Sequence, residues 1–301
     1  MPAADRLEIT GVDCHAHVFE RGLPLTAQRR HAPDYDALLD DYLALLDSRG
    51  ISHGVLVQPS FLGTDNHYFL AAVARHPERL RGVAVVDPSI TAEALERLAA
   101  QGTVGIRLNL VGLDIPDFSS REWQALLGRV RALDWHVEIH RDARDLPALL
   151  AALLPGGCRL VVDHLGRPDP LLGSADAGFA ALLQAADSGR VWVKLSGAYR
   201  TAQSPRADAA ARTPALAEQD AEQARRTVAA LLAAFGPERL VWGSDWPHTQ
   251  HQDFIDFAGS RALLDDWVPD VARRRRILVE TPAELFGFHR MDVPQNNETT
   301  T

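Results

Sequence analysis

Eight short apolar, branched segments recur along the chain, each separated from the next by residues with a helical rhythm of leucine and alanine. The segments are residues 9–17, 53–60, 81–88, 104–110, 135–140, 158–164, 191–197 and 239–245. Most are continuously apolar and end in a polar or charged residue, as strands buried on both faces do. Between them lie DYDALLDDYLALLDSRG (34–50), HYFLAAVARHPERL, SREWQALLGRVRALD and AEQDAEQARRTVAALLAAFGPERL, with Pro and Gly at the joins to stop helices and free the turns. Strand–helix alternation repeated eight times predicts an α/β fold, a single-domain (β/α)8 TIM barrel over residues 1–301, with a weakly packed tail from about residue 291. An open doubly wound sheet is the alternative. It would need a glycine-rich phosphate loop after a strand, and the chain contains no GxGxxG, GxxxxGKS or GxxxxGKT.

Charge narrows the partners. The chain carries 31 basic and 40 acidic residues, a formal net charge of −9, and Lys194 is its sole lysine. The densest basic run, RRRR at 273–276, reads as the wetted face of a late helix, so nucleic-acid and membrane binding are not expected. Two cysteines, Cys14 and Cys158, are too few for a disulfide scaffold and fit a reducing compartment. The start, MPAADRLEITG, lacks the pattern of a signal peptide, and no run of 18 apolar residues occurs. A cytoplasmic protein is expected, with homo-oligomer formation left open.

A barrel of this kind does its chemistry at the C-terminal ends of its strands. The chain places its unusual residues there. His15 and His17 end strand one, and their spacing puts both on one face. Arg107 and Asn109 share a face of strand four; His140 ends strand five, with Glu138 on its face. His164 ends strand six ahead of Arg167, and Asp245 ends strand eight ahead of His248. One strand-end histidine reads as an ordinary satisfied polar residue. Four histidines and an aspartate converging on one mouth would be costly to bury without a task. Imidazole nitrogen and carboxylate oxygen are ligands that zinc accepts. One zinc ion held by His15, His17, His140 and Asp245 is the expected centre. His164 is either a further ligand or lies just outside and orients substrate. Asp245 also reads as the general base, a task that partly conflicts with binding metal.

The motifs VDCHAH (12–17), VVDHLGRP (161–168) and WGSDWPH (242–248) resemble the amidohydrolase superfamily, in the subgroup that holds lactone hydrolases of aromatic-compound breakdown. VQPSFLGTDN, LRGVAVVDPSI and GIRLNL add to the resemblance, which runs from about residue 11 to 288. In pyrone-opening members the strand-one histidines, the strand-six histidine and the strand-eight aspartate form a centre that needs no metal, and strand five carries a tyrosine. Here that position is His140, and a second tyrosine of those members is replaced by His31. A histidine at strand five restores the ligand set of metal-dependent relatives. Lys194 does not suit a carbamate bridge, because relatives with two metals carry that lysine on strand four.

The resemblance also gives Arg107, Arg167 and Arg200 substrate-carboxylate roles, and a guanidinium fork does pair bidentately with a carboxylate or sulfonate. Ser60, His31, His248 and Asn109 complete the expected substrate contacts. The expected activity is hydrolysis of a small anionic lactone, first 4-sulfomuconolactone, giving maleylacetate and sulfite. Alternatives are metal-free opening of 2-pyrone-4,6-dicarboxylate, zinc-dependent decarboxylation of an aromatic or muconate acid, hydrolysis of a sugar lactone, and a non-enzymatic binding barrel.

Overall fold

The computed structural model describes residues 7–203 and 213–288. The expected tail from about residue 291 lies outside the described residues, as do residues 204–212. Eight parallel strands form the sheet in chain order: β1 (Val12–Ala16), β2 (His53–Val57), β3 (Leu80–Ala84), β4 (Thr103–Asn109), β5 (His136–His140), β6 (Arg159–Val162), β7 (Val191–Leu195) and β8 (Leu240–Trp242). An isolated parallel bridge between Ala16 and Trp246 brings the two ends together, so the sheet is a (β/α)8 barrel. Helices follow the strands as the apolar rhythm requires: α1 (Leu39–Ser48), α2 (His67–Arg75), α3 (Ala92–Ala100), α4 (Arg121–Ala132), α5 (Leu146–Leu153), α6 (Ala177–Gln184), α7 (Pro214–Phe235) and α8 (Phe257–Trp267). Two short helices close the described chain, α9 (Val271–Arg275) and α10 (Thr281–Leu285). No helix among the described residues is long and apolar enough to cross a membrane.

Alternation along the strands separates two cores. Outward residues such as Leu56, Ile106, Ile139 and Val193 join the helices in the large cluster. Inward residues Val12, Cys14, Val55, Val57, Val83, Val161 and Val241 fill the barrel, with Phe286 and Phe288 packed against them. The ends are tied by Asp13. Its carboxylate accepts from the Ser244 amide at 2.8 Å, the Ser244 hydroxyl at 2.6 Å and the Tyr42 hydroxyl at 3.1 Å. Gly243 permits this closure, since a Cβ there would lie 2.6 Å from the Cβ of His15.

Two local departures from regular strand geometry aim the polar residues. Between Asp13 and Ala16 the register with β2 slips, so three residues of β1 oppose two. Such a bulge re-aims a side chain. It turns His15 into the mouth one residue after the inward-facing Cys14. The second departure is that β6 and β8 end earlier than their apolar runs suggest. His164 and Asp245 instead occupy turns with φ of 50° and 61°. Left-handed backbone is uncommon outside glycine. Leu165, Arg167, His248 and Gln250 share it on the same two loops, and strain of this kind gathers at functional sites.

Candidate active site

The mouth encloses a cavity of about 170 Å3 lined by His17, Ser60, Asn109, His140, His164 and Asp245, with Arg30, Arg107, Arg167 and Arg200 around them. That is below the roughly 300–1,000 Å3 of drug-sized ligand pockets, so the occupant is small.

At its base, His15 Nε2 and His17 Nε2 are 3.3 Å apart. Asp245 Oδ1 lies 3.8 Å from the first and 3.7 Å from the second. The circle through these three atoms has a radius of about 2.1 Å, equal to the usual zinc–nitrogen distance of about 2.0–2.1 Å. His164 also comes within ligand range, since its nitrogen, that of His15 and a carboxylate oxygen of Asp245 all lie within 4.8 Å of one another. The donor set therefore fits zinc.

Hydrogen bonds around this base decide which atoms are bare. Tyr199 Oη and Arg200 Nε both donate to Asp245 Oδ2, at 2.5 and 2.6 Å. Asp245 Oδ1 has no hydrogen-bond partner. Burial pushes this carboxyl up, but Arg200, His164 and His17 hold it well below the usual carboxylate range. It is an anion with one oxygen free.

His140 is oriented by a second chain. Arg30 Nη2 donates to Asn109 Oδ1 at 3.1 Å, and His140 Nδ1 sits 3.1 Å from the same oxygen. An oxygen between two nitrogens can only accept, so Nδ1 carries the proton and Nε2 is bare. Nε2 is buried without a partner on the cavity wall. Burial and Arg107 hold the imidazole well below its ordinary pKa, so it is neutral. His164 Nδ1 meets Ser196 Oγ at 2.9 Å, and burial lowers its pKa to about 3. Its ring lies 4.8 Å from that of His15 and 5.1 Å from that of His140.

The arginines are anchored from behind. Arg107 donates from Nε and Nη2 to Asp163 Oδ2 at 3.1 and 2.8 Å, and its Nε lies 3.2 Å from Glu138. Arg167 pairs with Asp142 at 2.9 Å. A guanidinium carries five N–H donors, so each keeps donors for a ligand. Ser60 and His31 line the cavity as expected, and His31 Nε2 is buried without a partner.

His248 is not brought to the cavity. Its ring is buried, with Nε2 3.1 Å from Ser260 Oγ, and Thr249 and Gln250 line the mouth instead. The left-handed turn at His248 rotates the side chain inward. His248→Ala should leave kcat and KM near wild type and cost about 1 kcal/mol in urea unfolding, because Ser260 loses a buried partner. A large rise in KM would place the ring in the mouth after all.

Arg30 and Tyr199 were not legible in advance. Both sit on connections where no periodicity reports direction. The adjacency of Tyr199 to Arg200 was the one available signal.

The amidohydrolase family model matches residues 12–288. The chain belongs to the amidohydrolase family. Among curated amidohydrolases, the chain is 32% identical to the 4-sulfomuconolactone hydrolase of Rhizobium radiobacter, over 91% of this chain and 89% of that one. It is 33% identical to the 2-pyrone-4,6-dicarboxylate hydrolase of Comamonas testosteroni, over 93% of this chain and 91% of that one. A solved structure from Pseudomonas putida, assigned provisionally as a 2-pyrone-4,6-dicarboxylic acid hydrolase, superposes with a TM-score of 0.85. It is 46% identical and covers 94% of this chain and 100% of its own.

Proposed function

We propose that this amidohydrolase opens a small lactone bearing acidic groups, with 4-sulfomuconolactone as the first candidate and one zinc ion as its metal. The chain is a lactone hydrolase, on the strength of the curated relatives it matches over most of its length. The finer reading is carried by one observation: an ionised, half-free Asp245 beside a pair of histidines, inside a small cavity ringed by four arginines.

His15, His17, Asp245 and, through its bare Nε2, His140 would hold the metal, with His164 beside them. Bound zinc supplies Lewis-acid polarisation of a carbonyl and acidifies water. The protein groups do the rest. Arg107, Arg167 and Arg200 hold the acidic substituents and set the ring carbonyl against the histidines. Asp245 Oδ1 takes a proton from the attacking water, while Tyr199 and Arg200 keep Oδ2 fixed. Ring opening leaves the former ring oxygen and the sulfonate on one carbon. That carbon becomes a ketone as sulfite departs, giving maleylacetate.

A second reading is metal-free opening of 2-pyrone-4,6-dicarboxylate. It is favoured by the 3.3 Å contact between His15 Nε2 and His17 Nε2, which one proton can bridge without a cation. Metal analysis of protein purified without chelator, with assays on both lactones, separates the two. The proposal expects near-stoichiometric zinc and acid release from 4-sulfomuconolactone, both lost in His140→Ala. Full activity on the pyrone in metal-free protein would establish the second reading. Release of carbon dioxide in place of acid would sink both.

A further inference from the structure

The barrel interior beneath the mouth holds three charged groups that the lactone chemistry does not use, Lys194, Glu138 and Asp163. Lys194, on β7, reaches inward and its ammonium donates to Glu138 on β5. The same nitrogen lies 3.0 Å from His15 Nδ1 and 3.5 Å from Asp163 Oδ1. All four side chains are fully buried. Arg107 closes the set from the other side, so two cations face two carboxylates.

An ammonium donates and never accepts. Facing Lys194, His15 Nδ1 is therefore the acceptor and its proton sits on Nε2. His17 is fixed from the opposite end. Its Nδ1 is 2.7 Å from the carbonyl oxygen of Val57, which only accepts, so His17 Nδ1 carries the proton and Nε2 is bare. The 3.3 Å contact between the two rings then becomes a hydrogen bond from His15 Nε2–H to His17 Nε2. Lys194, His15 and His17 then form one donor-to-acceptor series.

The opposite tautomer of His15 fails at two points. Its Nδ1–H would face the ammonium at 3.0 Å and reach its carboxylate acceptors only at 3.4 Å, for Asp163, and 3.6 Å, for Glu138. It would also lose the hydrogen bond between the two rings, leaving two bare nitrogens 3.3 Å apart that suit a cation.

We infer that Lys194 is a positioning residue that holds His15 in its Nε2–H tautomer in the metal-free protein and so opposes zinc uptake. For His15 to ligate through Nε2, its proton moves to Nδ1 and is accepted by Asp163, while the ammonium turns to the carboxylates. No proton is gained or lost overall. The tautomer is independent of which lactone the enzyme opens. Only the consequence for zinc rests on the metal reading of the site.

Long-range 1H–15N correlation spectra of the chelator-treated full chain, labelled at histidine, report the tautomers directly. The wild type should show His15 protonated at Nε2 and His17 at Nδ1, each assigned by its glutamine variant. Lys194→Met alone would leave Glu138 and Asp163 to share Arg107, so the partner change is made with it. Lys194→Met combined with Glu138→Leu keeps the interior neutral. With the ammonium's share of the preference gone, this variant should raise the Nδ1-protonated fraction of His15 and tighten zinc binding by about tenfold or more in chelator competition, the scale on which outer-shell partners act. A wild-type His15 protonated at Nδ1 overturns the inference, as does a folded double variant unchanged in both readouts. If the double variant does not fold, the wild-type spectrum decides alone.

Discussion

Asp245→Asn is expected to lower kcat by at least about 100-fold, the lower end of what a positioned general base contributes. Asp245 has φ of 61°, and Asn tolerates that conformation nearly as well as Asp. The amide oxygen can still accept from Tyr199 and Arg200, which both donate to Oδ2. What disappears is the negative charge and the bare oxygen on the cavity side. Steady-state kinetics on the preferred lactone, with circular dichroism to confirm folding, checks it. A variant that retains most of its kcat would remove Asp245 from proton transfer.

Arg107→Met is expected to destabilise the fold by about 3–5 kcal/mol, the usual consequence of removing one partner from a buried ion pair. Asp163 would lose both guanidinium hydrogen bonds and Glu138 its 3.2 Å neighbour. Two buried carboxylates would then share Lys194 alone. In the native protein burial raises the Asp163 carboxyl, but Arg107 and Lys194 hold it well below its ordinary range. Removing Arg107 releases that hold. Adding Asp163→Asn should recover much of the loss, because the stranded charge goes with its partner. Urea denaturation of the single and double variants measures both. Equal stability of Arg107→Met and wild type would mean that the interior charges are not coupled as drawn.

These two residues also mark how far the sequence could be read. The eightfold rhythm was legible because parallel barrel strands are buried on both faces and leave long apolar runs. Arg107 stood out because a charge within such a run needs a reason. The reason proved double: it faces the cavity and neutralises Asp163 and Glu138 beneath it. That second task was hidden, since inward positions of β4 to β7 meet only once the barrel closes. Lys194, whose strand does not suit a carbamate bridge, lies below the mouth as a hydrogen-bond donor to His15. The structure brings His15, His17, His140, His164 and Asp245 together at one end of the barrel. The bulge in β1 and the left-handed turns at His164 and Asp245 were not foreseeable from hydrophobic periodicity. A turn of the same kind carried His248 away from the cavity.

In the proposed function the ring of arginines selects an anionic lactone, so charge discrimination tests the account most directly. The measurement is kcat/KM for a lactone bearing free acidic groups against its neutral ester on the same ring. A preference of at least about 100-fold for the charged form is predicted, as expected when buried charged donors lose their partner. Equal values for the charged lactone and its ester would contradict the account.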